Sequence, residues 1–313
     1  MKTRISHTAR RQKFFAAAPC AFACLLFVIL PLVLASASAQ QSNEAENKIK
    51  YRPLRWDPPA VDQLVKPLAG APPCVLSVVL EKAGNRAKEM EDTLPNFTAD
   101  ETIQYESIST AWFPPDLGIG KFKYAVDVAA TQSGASIQET RMPMKGTHAY
   151  PGIDQDRGLA ELALVFLPKF QSDYEIKCDG ETKWNNEPAW VIHFQQRAGV
   201  EGHAFSYADA HGGLYPAKLK GRAWISADSG EVLHLETALM EAVPDIHVQN
   251  SWFSIDYGPV QFHSRNVRIW LPQTVNAYIQ FDDRRVIIYH TFSNFILVSV
   301  QTKQEIKNPA GPH

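Results

Sequence analysis

Two periodicities divide this chain. Before about residue 97, one stretch repeats its apolar residues at helical spacing. After it, apolar and polar residues alternate almost to the end. Val75, Val78, Val79, Ala83, Ala87, Met90 and Leu94 mark one face of a helix predicted over 74–94. Pro72 and Pro73 precede that helix, and Leu94-Pro95-Asn96 stops it. A second helix is predicted over 154–170, capped by Asp154 or Asp156, with Leu159, Leu162, Ala163 and Phe166 on one face. Strands are predicted over 97–113, 121–130, 136–144, 172–178 and 189–197. From about 215 a meander runs through 217–226, 231–242, 246–256, 260–271, 273–281 and 285–303.

The turns make parts of the register predictable. Asp228-Ser229-Gly230 fits a three-residue hairpin loop with glycine in the left-handed position. That loop pairs Ala227 with Glu231, Ile225 with Leu233, Ala223 with Leu235 and Leu219 with Leu239 on one face. On the other it sets Trp224 against His234 and Arg222 against Glu236. Both faces are chemically sensible in one register. Asp282-Asp283 makes a second turn, which brings Ile279 to Val286 and Ala277 to Ile288. The predicted class is therefore α+β: one large, curved antiparallel sheet, an open β-barrel-like meander, with about two helices packed on it.

The N-terminus changes the picture of compartment and charge. Lys2, Arg4, Arg10, Arg11 and Lys13 precede the apolar run "FFAAAPCAFACLLFVILPLVLA", and Ala37-Ser38-Ala39 follows, the pattern of a secretory signal over 1–39. Kept uncleaved, that run is long enough to anchor the chain in a membrane. Its removal takes five of the 31 basic residues and none of the 33 acidic ones. The mature chain then carries about −7, which disfavours nucleic acid as a partner. Export to the periplasm or beyond is expected. Residues 40–73 read as a polar, proline-containing linker, 74–303 as a single domain and 304–313 as a tail. Cys20 and Cys24 leave with the signal, so Cys74 and Cys178 are expected to form a disulfide.

No nucleophile elbow, HExxH, P-loop or GxGxxG is present, and no CxxC or Cys/His cluster suggests a metal. Neither a cofactor nor a metal is expected. His203, Asp209 and His211 share a polar loop, and His193 lies in a strand. Glu101, Glu106 and Glu139 are strand carboxylates, which could pair for glycosidase chemistry but as a type usually face solvent. The more informative feature is a set of tryptophans on otherwise polar faces. Trp224 lies between Arg222 and Ser226, and Trp270 is out of step with Ile269 and Leu271. Arg222, Trp224, His234, Glu236 and Trp270 are therefore the candidate binding residues. Their face is either a solvated charge ladder with one snorkelling tryptophan or the wall of a groove.

"LPNFTADETIQYES", "AWVIHFQQR", "LKGRAWISADSGEVLHLETAL", "IDYGPVQFHSRNVRIWLPQTVNAYIQF" and "HTFSNFILVSV" together resemble a group of secreted proteins of soil bacteria, over about 74–303. "GRAWI" and "WLPQ" are the most specific pieces, and the resemblance brings no activity with it. The meander also resembles, in architecture, the periplasmic lipoprotein-sorting carriers. That likeness implies an incomplete barrel whose helices close a hydrophobic cavity. The leading expectation is an exported, non-catalytic binding protein for a hydrophobic or lipid-like ligand. An exported hydrolase without a motif, and an envelope scaffold or interaction module, are the alternatives.

Overall fold

The computed structural model describes residues 51–93, 96–109, 111, 114–131, 134–147, 159, 162–200, 205–208, 214–262 and 266–298. Helix α1 (Leu76–Thr93) is followed by strands β1 (Asn96–Ser109), β2 (Asp116–Thr131) and β3 (Gly134–Pro143). Next come the one-turn helix α2 (Pro168–Gln171), β4 (Tyr174–Trp184) and β5 (Glu187–Gln196), then a short hairpin, β6 (Ser206–Ala208) and β7 (Leu214–Pro216). The chain continues through β8 (Leu219–Ser226), β9 (Val232–Leu239), β10 (Val248–Phe262), β11 (Val267–Phe281) and β12 (Arg284–Leu297). The ten long strands form one antiparallel sheet, ordered β3-β2-β1-β12-β11-β10-β9-β8-β5-β4. The predicted meander β8–β12 is its centre. β3 and β4 are its two edges, so the curved sheet stays open.

Alternation assigns the two faces. Ile103, Ala223, Ile225, Leu235, Phe253, Ile255, Val275, Ala277, Ile279, Val286 and Ile288 are buried on the inner face and join one core. Val79, Ala83 and Ala87 of α1 pack into the same core, whereas Val75 and Val78, expected on that stripe, are exposed. Each large aliphatic side chain buried this way contributes roughly 1.5–3 kcal/mol, which is why the stripe docks. The helix expected over 154–170 is not one element where it is described. Leu162–Phe166 is a 3₁₀ turn with all five residues buried, and α2 follows after Leu167. A segment apolar on every side gains more by full burial than by presenting one helical face.

The hairpin at 228–230 forms in nearly the predicted register. Leu219 pairs with Leu239, Arg222 with Glu236, Ala223 with Leu235 and Trp224 with His234. The tip differs. The Ser226 N–H bonds Glu231 O at 2.8 Å, and the Gly230 N–H reaches back to Ser226 O at 3.0 Å, so the loop holds one residue more than expected. A bulge absorbs it, and Ile225 pairs with Val232 instead of Leu233. Leu233 is thereby turned to the outer face, where it packs with Trp224. Gly230, at φ 77°, takes the left-handed position. The second turn places Ala277 opposite Ile288 and Ile279 opposite Val286, as predicted.

The strand breaks expected after 256 and at Pro272 do not occur: β10 and β11 each run through. β9 pairs with β10 only over Trp252–Asp256, and β12 with β11 only over Thr274–Gln280. Beyond those limits β10 and β11 continue as a two-stranded ribbon. Pro259 and Pro272 lie in it, where a missing N–H breaks no outer ladder, and a bulge beside Tyr257 adjusts the register.

The described part of the expected linker, 51–73, is a strap laid across the outer face. The Tyr51 hydroxyl donates to Glu106 at 3.0 Å. Trp56 meets Trp252 and Tyr278 edge-on, at 6.1 and 5.7 Å, and carries Arg285 over its ring at 5.3 Å. The Val65 N–H donates to Asp179 at 3.0 Å, and the Leu68 N–H to Glu181 O at 2.9 Å. Gly180, at φ 129°, admits the strap, because a Cβ there would stand 2.7 Å from Pro67. The Cys74–Cys178 disulfide then fastens the end of the strap to β4.

Candidate functional site

Four of the five predicted binding residues form one layer on the outer face. Arg222 Nε lies 2.5 Å from Glu236, and His234 Nε2 lies 3.5 Å from the other oxygen of that carboxylate. His234 Nδ1 meets Asp256, its β10 neighbour, at 2.8 Å, and the Thr274 hydroxyl donates to Asp256 at 3.1 Å. Trp184 stacks on the His234 ring at 3.9 Å, and Arg222 lies over Trp224 at 5.1 Å. Burial opposes the charge on His234, but Asp256 and Glu236 outweigh it and raise its pKa above 6.5. Burial likewise opposes ionisation of Glu236, and His234 and Arg222 together lower its pKa.

This layer is neither a solvated ladder nor an open groove wall, because the strap covers it. Arg222 donates to the Gln63 main-chain oxygen at 2.8 Å, and Val65 packs against the cluster of Ala189, Val191, Trp224 and Leu233. Nearby, Lys220 pairs with Asp62 at 2.6 Å, and His193 lies 3.1 Å from Asp179.

The inner face holds a second ionic cluster, in which Glu101 and Glu139 are buried instead of facing solvent as expected. Glu101 accepts from Arg141 Nε at 2.7 Å and lies 2.8 Å from His290 Nδ1; the side chains of Glu101 and His290 are 0% exposed. Arg141 stands over the Tyr124 ring at 5.2 Å, and the Tyr124 hydroxyl bonds Glu139. Burial works against an ionised Glu101, yet Arg141 and His290 hold its pKa below the usual value. The signal was present in the alternation. Glu101 is in step with Phe97, Ala99 and Ile103, and His290 with Val286, Ile288 and Phe292. Glu106, by contrast, remains at the outer face, beneath Tyr51. His203, Asp209 and His211 lie outside the described residues.

Trp270, the fifth predicted residue, stands apart on the ribbon. One side of it packs against the Trp224 cluster, and it also lines a groove between α1 and the ribbon. The enclosed part of the groove is only about 30 Å³, and it opens past Glu187 and Ser229 into a shallow mouth of about 430 Å³. Met90, Val232 and Ile269 give it an apolar lining. Arg86 and Glu231 face each other at 3.4 Å, and Arg86 also holds Glu89 at 2.6 Å. Burial pushes the Glu231 carboxyl up to about 7; Arg86 and Arg268 pull against that, and Glu89 adds to it. Tyr257 lines the groove as well, while its hydroxyl is enclosed from solvent and has no hydrogen-bond partner among the described residues. Unpartnered buried hydroxyls are rare in folded proteins.

No family model and no curated protein matches this sequence. Among solved structures, a DUF1329 family protein from Desulfovibrio piger aligns with a TM-score of 0.38 and 10% identity, over 71% of this chain and 92% of that one. A LolA superfamily protein from Nitrosomonas europaea aligns at 0.34 and 9%, over 73% and 96%. A domain described as outer membrane lipoprotein-sorting, from Vibrio parahaemolyticus, aligns at 0.32 and 10%, over 72% and 94%. Likenesses at these scores assign no function to this chain.

Proposed function

We propose that the protein is an exported, non-catalytic binding protein that holds an amphiphilic, largely apolar molecule between α1 and the inner face of its open sheet. One observation carries this reading. The groove beside α1 has an apolar lining of Ala83, Ala87, Met90, Val232 and Ile269 and opens into a mouth of about 430 Å³ rimmed by Arg86, Glu231, Arg268 and Trp270. A ligand with an apolar body and a few polar atoms suits such a lining. The open sheet supports the reading, since β3 and β4 do not close over the helices.

The test is extraction of the purified mature chain with organic solvent, followed by mass spectrometry and by titration with a fluorescent fatty-acid probe. A co-purifying amphiphile, or saturable probe binding near one per chain, is expected. A chain that is free of amphiphile and binds no probe overturns the reading.

A further inference from the structure

We propose that the outer face of the sheet, from β1 across to β4, is a binding site for an extended polypeptide with an aromatic anchor, and that the strap is its resident ligand. The site lies on the face opposite the core, away from the groove beside α1. This proposal and the binding-protein reading therefore stand or fall separately.

The strap is laid on the sheet as a ligand would be. Of residues 51–73, Val61 alone is buried, and residues 51–60 and 64–68 form no helix, strand or turn. The sheet holds it largely by its main chain. Gln104 takes both polar groups of Arg52: its Oε1 accepts from the Arg52 N–H at 3.3 Å, and its Nε2 donates to the Arg52 carbonyl. Arg222 donates to Gln63 O at 2.8 Å, Asp179 accepts from the Val65 N–H at 3.0 Å, and Glu181 O accepts from the Leu68 N–H at 2.9 Å.

The side chains that make these contacts are positioned by the sheet itself. Gln104 is buried in β1, Arg222 is held by Glu236 at 2.5 Å, and Asp179 lies 3.1 Å from His193. Preorganised groups aimed at main-chain atoms favour an extended segment with little regard to its sequence. Selectivity comes from one side chain. Trp56 meets Trp252 and Tyr278 edge-on and carries Arg285 over its ring. A tryptophan seated in this way is the residue type that dominates interface energies. Tethering keeps the strap at high local concentration, so another segment gains the site only once the strap loses its anchor.

The test cuts the strap without removing it. A specific protease site is inserted into the full mature chain between Gly70 and Ala71, where a side chain on Gly70 would meet nothing within 4 Å. Cys74 stays with the sheet. After cleavage the fragment is expected to co-elute with the folded domain in gel filtration. Displacement by a fluorescent peptide of residues 51–68 should give a Kd of about 10 µM or tighter. With Trp56→Ala in the strap, the Kd should rise about thirtyfold.

A fragment that leaves a domain with an unchanged circular dichroism spectrum overturns the proposal. So does equal retention of the Trp56→Ala fragment. If the cut domain unfolds, the same peptide is titrated into the uncut Trp56→Ala chain. Saturable uptake of one peptide per chain supports the site, and no uptake overturns it.

Discussion

The two faces of the sheet carry nearly the same cluster. Outside, Arg222, Glu236 and His234 are joined across β8 and β9. Inside, Arg141, Glu101 and His290 are joined across β3, β1 and β12. The outer cluster has a structural employment. Its arginine holds the strap through Gln63 O, and its histidine leans on Asp256, whose side chain is 44% exposed and keeps water near. The inner cluster sits in the apolar core, and both Glu101 and His290 are sealed from solvent. Low dielectric strengthens each of its contacts and raises the penalty for losing one. The same three residue types therefore serve as a clasp on one face and as a high-stakes inclusion on the other. Position relative to the strap, not residue type, makes the difference.

Several experiments break or sharpen that contrast. The largest effect is expected from Cys74→Ser with Cys178→Ser. Opening a loop of 104 residues should lower the unfolding free energy by about 5 kcal/mol in urea titrations. It should also make residues 51–73 the first site of proteolysis, because the strap loses its anchored end. Glu101→Ala should cost about 4 kcal/mol in the same titration, since it strands two buried cationic or polar partners. Glu236→Ala should cost only about 2 kcal/mol, because Arg222 keeps Gln63 O and His234 keeps Asp256. Equal losses in the two glutamate variants would erase the distinction between the faces.

The smallest effect is the pH dependence of the outer cluster. The pKa of His234 is raised in the fold, so its contribution is full below 6.5 and is lost as pH rises through the folded value. The pKa of Glu236 is lowered, so its contribution is full above 4.5 and is lost as pH falls through the folded value. Stability should peak in the mildly acidic range between these limits, and His234→Gln should flatten the alkaline limb of a melting-temperature profile and also weaken the acid limb, because His234 helps to lower the pKa of Glu236 and Asp256.

Much of the sheet was legible because strand pairing between sequence neighbours is local. Alternation plus a turn signal sufficed for Ala223–Leu235, Trp224–His234 and Ile279–Val286. Legibility failed where geometry overrode pattern. One extra loop residue before Gly230 moved Leu233 to the other face. Pro259 and Pro272, which read as strand ends, proved harmless because the ribbon's outer edges carry no ladder. The strap was illegible because an extended, proline-containing segment has no periodicity of its own, and its partners are far away. Gln63 and Arg222 are 159 residues apart.

By itself, then, the sequence determined the strand alternation, the hairpins at 228–230 and 282–283, and the cysteines available for pairing. Each follows from spacing along the chain. The tertiary structure alone decided which arginine–glutamate–histidine set is covered by a strap and which is enclosed by the core. It also decided that Trp270, Arg268 and Tyr257 would meet α1 in one groove. Those outcomes depend on contacts between segments distant in the chain; His290 and Glu101 are 189 residues apart. Such meetings are set by how the whole sheet curls and what packs on it, which no local pattern records.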